Sequence, residues 1–389
     1  MKSIFTALAP NQQWDDAWLA IKLSFLPWKW KRGPAVGQLR EELKRHLGVG
    51  HLSLFETGRT GLEAILRCYN IGKGDEVLLQ AFTCVAVPNA VIWTGARPVY
   101  VDCREGDFTM SVEDLKKKIS PRAKAVIIQH TFGNIADIEQ IKKIVGADVL
   151  VIEDCAHSLA MRGDLGFFSF GRDKVISSVF GGAVATNDKK LGLLITNYQL
   201  QLPIPSFWWI GRQLKYVANM PLIRMTIDWG IGKVLLLLIR AFGDKPVTNA
   251  EKLGKKPDFV GKQMPNALAI LALHQFAKLD KFETHRKKIT AIYKREFPNG
   301  SGILRFSLFD LRSKKIREEA RQSRIFLGDW YTTAIAPAGV SYKAIGYDPS
   351  TCPTAERLAG NMINLPTDIN ITENDAERII STIKRLGAI

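Results

Sequence analysis

An aspartate and a lysine near the middle of the chain are the residues best suited to chemistry. Asp154 follows the strand-like apolar run Val149–Ile152, and Lys174 follows a second strand-like run, Phe167–Phe170, in a predicted loop. Ligands of open parallel sheets bind at the carboxyl ends of the strands, where such residues lie. Taken singly, Asp154 also suits a helix or turn cap, and Lys174 also suits a solvated loop. The chemistry therefore depends on the two side chains acting together.

Pyridoxal phosphate (PLP) chemistry needs both residue types. A PLP enzyme uses a lysine to hold the cofactor as a Schiff base and a carboxylate to keep its pyridine nitrogen protonated. The phosphate of the cofactor also needs backbone N–H groups at the start of a helix. The segment Thr57–Thr60 opens a predicted helix directly after the strand-like run His51–Phe55. Although its glycines also suit an ordinary strand-to-helix turn, the three features together predict a PLP site.

The elements that would position these residues alternate between strands and helices from His51 to Asn187. Besides His51–Phe55 and Phe167–Phe170, the predicted strands are Glu76–Leu79, Pro98–Val101, Ala125–Gln129, Val149–Ile152 and Gly182–Thr186. Helical spacing is found in Gly61–Tyr69, Val87–Thr94, Ser111–Ile119 and Ile135–Val145. This alternation is typical of an α/β domain whose mostly parallel sheet lies between helices.

The length of the chain predicts two lobes. Its 389 residues, 46% of them hydrophobic, suffice for a large core and a smaller second one. One long amphipathic helix is expected within 257–297, between the lobes, followed by a small α/β lobe that the helix around Val36–Leu47 completes. We therefore expect an N-terminal segment, 1–50, that packs with the small lobe, a large cofactor-binding domain, 51–256, and a long helix with a small C-terminal domain, 257–389.

Charge and cysteine content limit the kinds of partner. Lysine and arginine outnumber aspartate and glutamate by 54 to 38, which favours an anionic partner such as a phosphorylated substrate, nucleic acid or a membrane surface. No compact nucleic-acid-binding motif is present, so we predict no nucleic-acid partner. The five cysteines are widely spaced, without zinc-site spacing, which predicts reduced thiols and no metal site. Because the N-terminus shows no secretion signal, a cytoplasmic location is expected.

Several ordered motifs resemble those of the DegT/StrS-type family of PLP-dependent sugar aminotransferases, which has the type I fold of aspartate aminotransferase. The motifs are ETGRTGL, QAFTCVAVPNAV, EDCAHS and FFSFGRDK. The resemblance implies phosphate binding by Gly58, Arg59, Thr60 and Ser169, ring stacking by Phe82, a D-x-x-Q/H pair of Asp154 and His157, and a Schiff base at Lys174. It is strong over 51–187 and weaker over 261–386. Residues Phe82, His157 and Ser169 also have structural alternatives, as a core ring, a loop histidine and an outward strand residue.

The resemblance implies an activity. Family members with histidine in place of the lysine are dehydratases, so Lys174 indicates amino transfer. The expected substrates are an amino donor, glutamate in most of the family, and a keto-sugar that is linked to a nucleotide, and the expected assembly is a homodimer. The alternative is a catalytically inactive or regulatory PLP-fold binding protein.

Two positions depart from the family pattern. The segment Gly261–Met264 lacks the asparagine and arginine of the N-[YF]-R-[ML] element, whose asparagine reaches the phosphate in the partner subunit. Lys262 is a candidate substitute for this contact. The segment Val179–Gly182 lacks the usual glutamate. These departures put the cross-subunit contact in question.

A Trp-rich, basic insertion, 203–242, is a third departure. Its longest uninterrupted apolar run, Val234–Ile239, is far short of the roughly 20 residues that span a bilayer. Two interpretations remain open: amphipathic helices that lie on an anionic membrane surface, or an interface with a partner subunit. The segment 25–32 has the same Trp-and-basic composition. The sequence thus allows a peripheral membrane location.

Overall fold

The computed structural model describes residues 2–387, without the side chain of Phe242. Met1, Ala388 and Ile389, which belong to the predicted segments 1–50 and 257–389, lie outside the described residues. The strands are β1 (Ile4–Phe5), β2 (His51–Phe55), β3 (Glu76–Gln80), β4 (Thr83–Cys84), β5 (Arg97–Val101), β6 (Ala123–Gln129), β7 (Leu150–Asp154), β8 (Leu165–Ser169), β9 (Gly182–Thr186), β10 (Arg305–Phe309), β11 (Ile325–Phe326), β12 (Ile335–Ala336) and β13 (Met362–Pro366).

The helices are α1 (Trp14–Ser24), α2 (Ala35–Leu47), α3 (Gly58–Cys68), α4 (Ala86–Ile92), α5 (Val112–Lys118), α6 (Ile138–Val145), α7 (Lys189–Gln201), α8 (Phe207–Thr226), α9 (Ile231–Phe242), α10 (Asn249–Lys252), α11 (Asn266–Phe276), α12 (Leu279–Glu296), α13 (Ser313–Gln322), α14 (Tyr342–Ile345), α15 (Pro353–Leu358) and α16 (Glu373–Arg385). Single 3-10 turns lie at Pro27–Lys29, Thr131–Gly133 and Ile227–Trp229.

A seven-stranded sheet in the order β2-β9-β8-β7-β6-β3-β5 forms the centre of the large domain. The pairs from β8 through β7, β6 and β3 to β5 are parallel, whereas β9 is antiparallel to both of its neighbours. Most residues of these strands are buried, because helices cover both faces of such a sheet. The predicted α/β class with a mostly parallel sheet is confirmed.

The strand directions bring three chain segments to one edge of the sheet. Strands β7 and β8 are parallel neighbours, and they end at Asp154 and Ser169. Strand β2 points the same way as β8, since both are antiparallel to β9. The helix that follows β2, α3, therefore begins at the edge where β7 and β8 end.

The C-terminal lobe has its own hydrophobic core. Strands β10 and β13 pair antiparallel, and α12, α13 and α16 pack against them. Strand β1 of the N-terminal segment pairs with β11, so that Ile4 lies opposite Ile325. The second, smaller α/β lobe of the fold class is present.

The prediction of one long helix between the lobes was wrong. Helix α11 ends at Phe276 and α12 begins at Leu279. Helix α11 is buried on nearly all sides in the core of the large domain, whereas α12 presents one apolar stripe to the core of the small lobe. The axis breaks because the two halves pack on different cores. Beside the break, the ammonium of Lys278 bonds the carboxylate of Asp16 at 2.9 Å.

The helix of the N-terminal segment does not complete the small lobe, contrary to the prediction. The buried residues Leu39 and Leu43 of α2 share a core with Leu52 and Leu54 of β2, and α2 also packs against α11. The connection from α2 to β2 is short, so the helix cannot reach the distant lobe. Strand β1 and the residues that follow it contact the C-terminal lobe instead, for example through the hydroxyl of Thr6, which donates to the carbonyl of Asn364 at 3.1 Å.

The segment 203–242, predicted to be an insertion, forms two helices on the large domain. Helix α8 packs between α1 and α9, and its buried residues extend the core that contains α2 and α11. Pro221 lies within α8. Among the helices of residues 2–387, none has the length and apolar character needed to cross a bilayer.

The core of the small lobe should depend on the apolar stripe of α12. Ile289 is fully buried there, and its replacement by alanine should lower the free energy of unfolding by about 2–5 kcal/mol through lost burial and a residual cavity. The same change at Ile303, which is 39% exposed, should cost no more than about 0.5 kcal/mol. Urea unfolding of Ile289→Ala and Ile303→Ala measures both. Equal losses would contradict this assignment of the core.

Candidate active site

A cavity of about 660 Å³ lies at the edge of the sheet where β7 and β8 end. The large domain contributes Asp154, His157, Ser169 and Lys174 to its wall, and the segment 329–338, which precedes and includes β12, contributes the opposite side. With Gly58 and Arg59, which also line the cavity, the structure brings six of the predicted site residues together between elements that are distant in the chain.

Lys174 lies in the loop after β8. Its main-chain carbonyl accepts a hydrogen bond from the Asn11 side chain at 2.7 Å, and its Nζ is 5.4 Å from the centre of the Trp330 ring. Burial lowers the pKa of the Lys174 amine, although the negative charge of Asp154 opposes this effect. A lowered pKa increases the fraction of neutral amine, which is the nucleophilic form.

Asp154 is the last residue of β7, and its carboxyl is buried. Its Oδ1 accepts a hydrogen bond from the N–H of Ala156 at 2.9 Å. Burial raises the pKa of Asp154, while the Ala156 bond and the positive charge of Lys174 lower it. A cationic N–H group in the cavity would stabilise the ionised carboxylate further.

The start of α3 forms a cradle that could hold an anion. Thr57 caps the helix, because its Oγ1 accepts a hydrogen bond from the N–H of Thr60 at 3.3 Å. The N–H groups of a first helical turn have no carbonyl partner within the helix and attract negative charge. Gly58 must be glycine, since a Cβ there would lie 2.8 Å from the carbonyl oxygen of Phe168 and 3.3 Å from Cβ of Ser169. Ser169 therefore lies directly beside the cradle.

The side chain of Arg59 is committed to the segment 244–252. Its guanidinium forms a buried ion pair with Glu251 and donates to the carbonyl of Pro246 at 2.8 Å. The backbone of Arg59 remains in the first turn of α3 and in the cavity wall. This arrangement favours a phosphate contact by the backbone N–H of Arg59 over a contact by its guanidinium.

Two predicted site residues do not line the cavity. Thr60 is buried, and its hydroxyl donates to Glu56 at 2.5 Å. The ring of Phe82 is enclosed by the rings of Phe108, Phe132 and Tyr331, with its centre 5.2 Å from that of Tyr331. A ring that packs on three others does not present a face to a ligand, so this placement disagrees with the predicted stacking by Phe82. The residues that follow it, in β4, line the cavity instead.

Sequence reasoning missed Trp330, whose ring forms part of the wall. This ring stacks on the imidazole of His157, with 5.5 Å between centres. The guanidinium of Arg305 lies 3.6 Å from the centre of the Trp330 ring. No motif surrounds Trp330 in the sequence, and its only sequence signal is its large aromatic side chain.

His157 is held as a neutral imidazole. Its Nδ1 accepts a hydrogen bond from the N–H of Phe132 at 3.1 Å. Burial lowers the pKa of His157 well below its ordinary value, and the nearby positive charges of Lys174 and Arg305 lower it further. The imidazole therefore stays uncharged at neutral pH and supports the ring of Trp330 by stacking.

Four basic or amide side chains that the sequence did not single out also line the cavity: Arg172, Lys245, Asn249 and Lys252. Arg172 lies 4.1 Å from the ring centre of Tyr216 and donates to the carbonyl of Asp244 at 2.6 Å.

Lys262, the predicted substitute for the missing asparagine, is absent from the wall as the structure describes it. The backbone N–H groups of Gly261 and Lys262 instead donate to the carboxyl of Glu56, at 3.0 Å each.

Comparison with known proteins identifies the family. The sequence model of the DegT/DnrJ/EryC1/StrS aminotransferase family matches residues 26–202 and 233–384. The chain belongs to this family. The stretch between the two matched segments contains α8, whereas most of α9, in the second part of the predicted insertion, lies within the match.

Curated relatives of the family are sugar aminotransferases. GDP-perosamine synthase of Escherichia coli O157:H7 is 32% identical over 191 residues, which are 46% of this chain and 50% of the relative. The chain thus spans about half the length of the GDP-perosamine synthases it matches. A transaminase of Micromonospora megalomicea named for dTDP-3-amino-3,4,6-trideoxy-alpha-D-glucose is 22% identical over 91% of this chain and 90% of its own.

Solved structures of the family share the fold. The aminotransferase PseC of Helicobacter pylori has a TM-score of 0.75 at 18% identity and covers 99% of both chains. The Bacillus subtilis protein NtdA, solved with bound PMP, has a TM-score of 0.74 at 17% identity over 99% of this chain and 85% of its own. At these identities the likeness establishes the type I fold and leaves the substrate to other arguments.

The buried carboxyl of Glu56 should make the stability depend on pH. Burial raises its pKa from 4.5 to about 7, although hydrogen bonds from Thr60, Lys262 and Gly261 partly offset the shift. Between these pH values the folded protein retains a proton that the unfolded chain has lost, so this group makes stability fall as the pH rises. The unfolding free energy of Glu56→Gln should therefore fall less steeply across this range than that of the wild type.

Denaturant titrations at several pH values measure this difference in slope. Glu41→Gln removes a glutamate that is exposed, so its curve should run parallel to that of the wild type. A parallel curve for Glu56→Gln as well would show that Glu56 does not titrate with a raised pKa.

Proposed function

We propose that this protein is a PLP-dependent aminotransferase that transfers an amino group from glutamate to a nucleotide-linked keto-sugar. The observation that carries the proposal is the presence of Asp154 and Lys174 in one cavity, together with the first turn of α3 and Ser169. A binding protein would have no use for a buried amine and a buried carboxyl that alter the pKa of each other. The names of the curated relatives support the same activity.

The residues of the cavity fit PLP. Lys174 would hold the cofactor covalently through Nζ, Asp154 would keep its ring nitrogen protonated, and the first turn of α3 with Ser169 would take the phosphate. When bound, the cofactor withdraws electrons from the substrate carbon that loses its proton. The tight approach of Gly58 to Phe168 and Ser169 supports this fit, since a side chain would fill the cradle.

Lys174 is also the group that moves protons. Because burial lowers the pKa of its amine, Nζ can accept a proton from the α-carbon of the amino donor near neutral pH. Within the same half-reaction the resulting ammonium would return that proton to the C4′ position of the cofactor, and in the second half-reaction Nζ would carry a proton the opposite way, to the sugar carbon that receives the amino group. The carboxylate of Asp154 stabilises the ammonium form, since its charge raises the pKa of Lys174.

The basic wall of the cavity suits a nucleotide diphosphate. Arg172, Lys245 and Lys252 face the same space as Lys174, and cations of this kind attract phosphate oxygens. Two of the relatives are named for GDP- and dTDP-linked sugars. These residues are therefore our candidates for the diphosphate contact.

We further infer a cytoplasmic homodimer. The five cysteines are free thiols, three of them buried, as is usual for a reducing compartment. The homodimer follows from the family resemblance, and the departures at Gly261–Met264 are compatible with it, because the segment 244–252 of the same chain already lines the cavity.

The cofactor bond gives a direct test of the activity. Purified protein supplied with PLP should show a visible absorption band that glutamate bleaches, and Lys174→Ala should lack the band because no other amine holds the cofactor. Lys245→Ala, which leaves Lys174 in place, should keep it. A band that no amino donor changes would favour the rival function, a PLP-fold binding protein. Protein that cannot be loaded with PLP would exclude both functions.

Asp154 should contribute strongly to turnover and only weakly to the binding of PLP. Asp154→Asn retains the shape of the side chain but cannot stabilise a protonated ring nitrogen, so kcat should fall at least about 100-fold, or about 2.7 kcal/mol of barrier. The absorption band of the loaded variant should persist. Steady-state amination of a GDP- or dTDP-linked keto-sugar with glutamate measures the loss. A kcat near that of the wild type would remove Asp154 from the mechanism.

A further inference from the structure

Every tryptophan that the structure describes as exposed lies in one of two segments, 14–28 and 207–229. Trp208 is 85% exposed, Trp229 is 74% exposed and Trp28 is 69% exposed. Burial of an aromatic side chain is normally favourable, and contiguous exposed apolar area marks a contact surface. The two segments are neighbours, because α1 packs on α8 and the rings of Trp30 and Phe207 lie 6.0 Å apart.

The exposed apolar residues follow the helical repeat. Trp14 and Trp18 are one turn apart on the exposed side of α1. Ile231, Val234 and Leu238 have the spacing of one face of α9, and all three are exposed. The opposite side of α9, with Leu235, Leu236 and Ile239, packs on the core. We call the exposed apolar residues of α1, Pro27–Lys29, α8, Ile227–Trp229 and α9 the apolar face.

Cations without acidic partners accompany the apolar face. Six exposed basic residues of the segments 14–32 and 203–242 form no ion pair within residues 2–387: Lys22, Lys29, Arg32, Lys215, Lys233 and Arg240. On α9, Lys233 and Arg240 lie along the edge of the exposed apolar stripe.

The acidic residues of the two segments are already compensated. Asp15 and Asp16 pair with Lys278, and Asp228 accepts hydrogen bonds from Ser3 and lies 3.6 Å from Arg324. The charge that remains on these elements is therefore positive, in agreement with the net charge of +16 of the whole chain.

We propose that the apolar face binds the surface of an anionic lipid bilayer. Aromatic and aliphatic side chains would enter the interface, and the surrounding lysines and arginines would contact the phosphates of the headgroups. A second copy of the chain is a poorer occupant, because a two-fold contact would place each cationic surface against an identical one. Helix α8, which lies outside the segments matched by the family model, thereby holds the enzyme at a membrane, whatever sugar it aminates.

Vesicle sedimentation of the full-length protein tests the proposal. The protein should sediment with vesicles of phosphatidylglycerol and phosphatidylcholine at low salt, bind less at physiological salt, and stay in solution with phosphatidylcholine alone. The tryptophan emission should shift to the blue on binding.

Trp208→Ser combined with Trp229→Ser should weaken vesicle binding at least about tenfold. Leu311→Ser, a control at a 73% exposed residue outside the apolar face, should bind as the wild type does.

Variants that remove positive charge measure the electrostatic contribution to vesicle binding separately from the apolar contribution. Each cation near the surface contributes about a fivefold change in affinity, so Lys233→Gln with Arg240→Gln should weaken binding by about 25-fold. The matched pair Lys281→Gln with Lys287→Gln removes equal charge from an exposed part of α12 and should have little effect. Protein that stays in solution with anionic vesicles at low salt would overturn the proposal. The proposal would also be overturned if light scattering showed a wild-type dimer that the tryptophan variants lose, while the wild type did not bind vesicles. That result would identify a second copy of the chain as the occupant of the apolar face.

Discussion

Burial of the Lys174 amine beside the Asp154 carboxyl is the constraint on which the site depends. Burial disfavours the charged form of each group. The negative charge of Asp154 favours the ammonium form of Lys174, and the positive charge of Lys174 favours the carboxylate form of Asp154. The arrangement requires two adjacent strand ends, and the parallel pairing of β7 with β8 supplies them. Strand β9 is antiparallel to both β8 and β2, so β2 runs in the same direction as β8 and α3 begins at the same edge. A β2 that paired parallel with β9 would have placed the start of α3 at the opposite edge of the sheet.

The segment 244–252, which lines part of the cavity, is fixed to the same site. The buried pair of Arg59 and Glu251 ties the segment to the first turn of α3, and loss of one partner would leave the other charge buried without compensation. Because Arg59 is neutralised in this way, the positive charge toward the cavity comes from Arg172, Lys245 and Lys252. The ion pair of Arg59 with Glu251 thus fixes this part of the cavity wall. It also leaves Arg172, Lys245 and Lys252 as the cations that are available to a substrate.

Local patterns predicted the large domain well and the helices between domains poorly. Strands β2 and β9 have the predicted limits, since apolar residues that are buried on both faces form continuous runs between turn residues. The break between α11 and α12 was missed because an apolar repeat states that a helix is buried and does not state against which core. The position of α2 was wrong for the same reason.

The sequence by itself determined the α/β class, the carboxylate and lysine, and the glycine and serine of the anion cradle, because these follow from short motifs at strand ends. Only the tertiary structure decided that Phe82 lies among other rings and that Trp330, from a segment distant in the chain, enters the cavity. The same holds for the apolar face. A Trp-rich composition is compatible with a core or a surface, and the packing of α8 between α1 and α9 decides which tryptophans remain exposed.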